Sequence, residues 1–158
     1  MNFNIGELDK TYDKCMATGS IKEKNTVDIE LIKSLKNVAE RGLSFIKRES
    51  KNLKKDSDDW TFVFRDYYES LRGLIESFLL FYKIEAENHQ CKNAYICFKH
   101  PELELNWNFL ETIRLKRNIE LHVFETQKEI KEVKTGLIDN IINGHIIKGK
   151  IQDFAEVS

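Results

Sequence analysis

Only one proline, Pro101, and seven glycines punctuate the 158 residues. So few breakers leave room for long elements, and helices use length best. Long apolar runs are missing too. The longest, Phe78 to Tyr82, is far short of the roughly 20 residues a membrane-spanning helix needs. The N-terminus MNFNIGELDK carries no apolar stretch of the kind found in a secretory signal. Cys15, Cys91 and Cys97 make an odd number without disulfide-framework spacing. The expectation is a cytoplasmic, reducing location with the cysteines as core thiols. An excess of charge is also lacking. Lys and Arg number 25 against 26 Asp and Glu, a net charge of -1, so no global field recruits nucleic acid or an anionic membrane. Any nucleic-acid contact must come from a local basic cluster. There is no phosphate-binding glycine loop and no acidic metal cluster, so no metal and no cofactor are expected.

What is present is an ordinary globular composition, 41% hydrophobic and 32% charged. The length suits one domain over residues 1–158, with a core from about 15 to 145 and a tail at 146–158. Residues 5–17 suit a first helix, with Gly19 as its cap. Asn25 and Thr26 are capping candidates for a second. There Ile32, Leu35, Ala39, Leu43 and Ile46 recur at helical spacing, and 47–59 reads as a fraying end and solvated loop. Trp60, Phe64, Tyr67, Leu71, Leu74, Phe78 and Phe81 then alternate steps of four and three residues, a sustained heptad pattern. Val63, Tyr68, Ile75 and Leu79 widen the stripe on its flanks, so that helix is either central in a bundle or packs both on its own core and on a partner. A further helix over 86–99 would turn Cys91, Ala94, Tyr95 and Phe98 inward and end at Pro101. Segments 103–124 and 126–143 complete an all-α, up-down bundle of five to six helices.

The richest chemical constellation is Arg114-Leu-Lys116-Arg117-Asn118-Ile-Glu120-Leu-His122-Val-Phe124. On a continuous helix Arg114, Asn118 and His122 share one stripe. Arg117 stands five residues from His122, about 140° away. The two converge only if the helix breaks between them or if two copies meet across an axis. Arginine clamps and neutralises a phosphate, and histidine moves protons near neutrality. With RNA the nucleophile is already present as the 2′-hydroxyl, so such a set needs no metal. Against this, basic residues often cluster on a helix for structural reasons alone. Two other groups stand out. Tyr68, Arg72 and Glu76 are either core tyrosine with an i, i+4 ion pair or part of the same cleft. His89, Cys91, Cys97 and His100 suggest zinc, but their spacing fits no usual structural site.

The run Arg117-Asn118-Ile119-Glu120-Leu121-His122 resembles the HEPN family signature, an arginine, a polar residue and a histidine four to six residues on. Phe124 occupies the place where an aromatic residue often follows. The stretch Phe64 to Leu80, with Asn88-His89-Gln90-Cys91, is similar to the long helix and next-helix start of prokaryotic HEPN proteins. The resemblance covers about residues 15–145. It implies a dimerising helical bundle and a metal-independent ribonuclease of toxin–antitoxin or defence systems. Arg117 and His122 would be catalytic and Asn118 supporting. Arg114, Lys116, Arg72, Tyr68 and Phe124 would contact single-stranded RNA. Glu120 would compete for Arg117 or raise the pKa of His122. The alternative is a non-catalytic dimeric module partnered with a small nucleotidyltransferase or an antitoxin.

Overall fold

A computed structural model describes residues 4–54 and 57–118. They hold five α-helices and one small sheet: α1 (Leu8–Ala17), β1 (Ile21–Glu23), α2 (Ile29–Ser50), α3 (Trp60–Phe81), β2 (Ile84–Ala86), α4 (His89–Lys99) and α5 (Trp107–Asn118). A 3₁₀ turn at Pro101–Leu103 joins the last two helices. The described residues are therefore mostly helical, as the patterning predicts. The expected helix over 126–143 and the tail lie outside the described residues.

The central helix is α3. Every member of its heptad series from Trp60 to Phe78 is buried, and so are Val63, Tyr68, Ile75 and Leu79. Its main partner is α2, which turns Ile32, Ala39 and Ile46 inward. The two run antiparallel, since Gly42 faces Ser70 while Ala39 faces Gly73. The two helices approach closely at Gly42, where a methyl group would come within 2.6 Å of Ser70 Oγ and that hydroxyl would have to turn away. The opposite face of α3 meets α4 and α5. Leu103, Leu110 and Ile96 close the core there at 1% exposure or less.

Three expectations need correction. The N-cap of α2 is Asp28, whose carboxylate accepts from Leu31 N at 3.0 Å, and not Asn25 or Thr26. The chain at 24 is still bound to the sheet, with Lys24 N donating to Lys83 O at 2.7 Å, so the helix starts later. Ile21–Glu23 and Ile84–Ala86 pair antiparallel, Ile21 opposite Ala86, which delays α4 to His89. Phe98 is exposed and stacks on Tyr12 of α1, ring centroids 4.2 Å apart, while Ile96 takes the interior place.

The cysteines also depart from expectation. Cys15 and Cys91, 76 residues apart, form a disulfide that ties α1 to the first turn of α4. Only Cys97 remains a thiol, buried, with its pKa pushed up to about 12 by desolvation. Disulfides persist where thiols are not kept reduced, so an odd cysteine number does not establish a reducing location. Among the described residues, no helix is long and apolar enough to cross a membrane.

Candidate functional site

Three elements bring polar side chains together on one side of the α3–α4–α5 core. The middle of α3 supplies Tyr68, Glu69, Arg72 and Glu76. The first turns of α4 supply His89, Gln90, Lys92 and Asn93, and α5 supplies Glu111, Arg114 and Arg117.

The anchor is Glu111, 1% exposed. Its carboxylate accepts from Arg114 Nε at 2.8 Å and Nη2 at 3.0 Å. It also accepts from the side-chain amides of Gln90 and Asn93, both at 3.1 Å. A buried charge is tolerable only when so fully paired. Arg114 is consequently a fixed fork rather than a mobile surface cation. Together with Glu87, Asn88, His89 and Gln90 it lines an open depression at the start of α4.

Glu69 gathers the other two arginines. Its Oε2 lies 3.2 Å from Arg72 Nη1, and its Oε1 lies 3.4 Å from Arg117 Nε, an ion pair whose geometry falls short of a hydrogen bond. Arg72 thus pairs backward along α3 and not with Glu76, because Lys92 of α4 takes Glu76 at 3.7 Å.

Tyr68 is buried, and its hydroxyl lies 3.2 Å from His89 Nδ1. Both line a narrow cleft with Arg72, Lys92 and Asn93. Burial pushes the Tyr68 phenol up to about 12, against the opposing pull of Arg114 and Arg72. His89 is held below its ordinary value, first by desolvation and then by Arg72 and Lys92.

Of the residues singled out in the sequence, Tyr68, Arg72, Arg114 and Arg117 therefore belong to one connected cluster. Lys116 is half-buried in the last turn of α5, and Asn118 ends that helix. His122, Glu120 and Phe124 lie outside the described residues. The zinc candidates separate into different jobs. Cys91 bonds to Cys15, His89 meets Tyr68, and His100 Nδ1 lies 2.8 Å from Glu102 within a ring of Phe78, Tyr82 and Tyr95. Among the described residues no group of three or more acidic, His or Cys side chains is arranged to hold a metal.

No family model, curated protein or solved structure matches the chain. Function must therefore be argued from this cluster itself. Sequence reasoning missed Glu111, Glu69 and His89 as members of it. For Glu111 a signal was present, its position three residues before Arg114 on one helix face. For His89 the signal was Asn88, which caps α4 by accepting from Cys91 N and so sets His89 at the first helical position.

Proposed function

We propose that this chain is a metal-independent endoribonuclease of HEPN type, acting on single-stranded RNA as a homodimer. The observation that carries the reading is the convergence of Arg72, Arg114 and Arg117 with Tyr68 and His89, beside the end of α5 from which the motif residues continue. In this reading Arg117 holds the scissile phosphate and offsets the charge that develops on it. His122 takes the proton of the 2′-hydroxyl, and Asn118 orients one of the two. The ribose O2′–P bond forms as the P–O5′ bond breaks, and water supplies the proton that the leaving 5′-oxygen takes up, which gives a cyclic phosphate and a 5′-hydroxyl. Phe124 offers a ring to unstacked bases, and Arg72, Arg114 and Lys116 add affinity for the RNA backbone; Tyr68 is buried and acts through His89 instead of stacking on a base.

A panel of single-stranded RNAs incubated in EDTA tests this. Wild-type protein should cut, and Arg117→Ala and His122→Ala should each cut about 10² to 10⁴-fold more slowly. Full activity in the His122 variant would sink the mechanism.

The homodimer draws support from α2. Leu31, Val38 and Phe45 lie seven residues apart in one exposed row, with Val38 68% exposed. An antiparallel second copy with its two-fold axis at Val38 sets Leu31 of either copy against Phe45 of the other. It also brings Glu30 of each toward Arg48 of the other. An isologous contact of this kind is self-complementary. Val38→Glu should convert a dimer to a monomer in light scattering, and an unchanged mass would place the interface elsewhere.

One observation favours the second reading, a binding module partnered with a nucleotidyltransferase or antitoxin. Glu69 already neutralises Arg72 and Arg117 within the chain. That reading expects binding without turnover in the same RNA panel.

A further inference from the structure

We propose that His89 is a phosphate-binding residue, donating from Nε2 to an oxygen of a phosphodiester seated between the first turn of α4 and Arg114. The inference rests on the reading above only in taking that phosphate to be part of a nucleic-acid strand.

The tautomer follows from the partner. Tyr68 is buried and its phenol is pushed up to about 12, so it keeps its proton. Among the described residues His89 Nδ1, 3.2 Å away, is the one hydrogen-bond partner of that hydroxyl, so we assign the phenol as donor and Nδ1 as acceptor. The ring's own proton then resides on Nε2. His89 lines both the narrow cleft shared with Tyr68 and the open depression shared with Arg114, so the residue stands between the two.

The depression suits an anion. Glu111 commits two of Arg114's N–H groups and so fixes the plane of the guanidinium before any ligand arrives. The start of α4, with His89 and Gln90 in its first turn, adds the positive end of that helix. The carboxylate on the rim, Glu87, is engaged by Lys22 at 3.8 Å. Around His89 stand Arg72, Glu69 and Glu76 from α3, Lys92 from α4, and Arg114 and Glu111 from α5.

A pH signature follows. Desolvation first, then Arg72 and Lys92, hold the free imidazole below its usual range, so near neutrality it is uncharged. A bound anion favours the protonated form and raises that pKa. Binding then takes up a proton in the interval between the two values. Affinity rises as pH falls through the bound-state value and levels off below the free-state value.

The test uses the full chain and a 2′-deoxy hexanucleotide, which presents phosphodiesters that neither titrate near neutrality nor can be cut through a 2′-hydroxyl. NMR titration of the His89 ring should show its pKa rising on addition of the strand. His89→Gln keeps a donor but cannot titrate, so binding should persist and lose its pH dependence. His89→Ala should bind about tenfold more weakly. A His89 pKa unmoved by the strand, or equal pH dependence in His89→Gln, overturns the inference. Its failure is distinguishable from failure of the ribonuclease reading. RNA cut by a protein whose His89 does not respond removes this inference alone. A responding His89 in a protein that cuts no RNA leaves the inference standing and removes catalysis.

Discussion

Glu111→Ala should lower the stability of the fold by about 3 to 5 kcal/mol, the usual cost of removing one partner from a buried, hydrogen-bonded ion pair. Truncation removes the acceptor of Arg114 and of two amides, Gln90 and Asn93, at once. Arg114 would have to turn toward solvent, and the α4–α5 contact would lose its polar seam. The measurement is the urea midpoint with an unchanged slope. Glu111→Gln retains one acceptor oxygen and should fall between wild type and Ala. A loss below about 1 kcal/mol for Glu111→Ala would mean that the network is not the anchor of the site, since that is the range of an ordinary hydrogen bond.

The second large effect concerns Cys15 and Cys91. In the chain-entropy account, closing a loop with this 76-residue separation restricts the unfolded chain by about 4 to 5 kcal/mol. Replacing both cysteines with alanine should therefore cost about 2 to 5 kcal/mol of stability. Thiol titration checks the pairing directly. Unfolded, unreduced protein should show a single reactive thiol, Cys97, and all three after reduction. Three thiols before reduction would refute the pairing. In the folded protein Cys97 should be inert, because burial raises its thiol to about 12 and the reactive thiolate is scarce.

The helices were legible because their apolar residues recur at helical spacing over long stretches. Trp60 to Phe78 on α3 and Ile32, Ala39 and Ile46 on α2 are buried as that spacing predicts. Gly19 caps α1 with φ of 72°, a conformation glycine adopts without cost. The strands were not legible. Each has three residues, too few to show alternation, and their pairing joins Ile21 to Ala86 across the whole of α2 and α3. The burial of α4 was misjudged at Phe98 because that helix contacts α1, α3, α5 and the sheet, and so has no single inward stripe.

The site was half legible for a similar reason. Arg114 and Arg117 stand out as a local cationic run. Glu69, which pairs with Arg117, and Gln90 and Asn93, which hold Glu111, come from other helices, and no spacing rule reaches that far. The Tyr68–His89 contact likewise spans 21 residues. A histidine that looks like a metal candidate beside Cys91 proves to be tyrosine-bound once Cys91 is taken by Cys15.

The bond between Cys15 and Cys91 also makes a covalent ring of the chain, with α2 and α3 strung along it and α5 outside. A single protease cut in the 51–59 connection opens that ring without dividing the molecule. The two fragments, one ending with α2 and the other beginning with α3, stay linked through α1 and α4. On a denaturing gel such a nicked molecule migrates as one species until reductant is added, and then as two. Proteolysis followed only under reducing conditions would therefore score an intact assembly as a broken one.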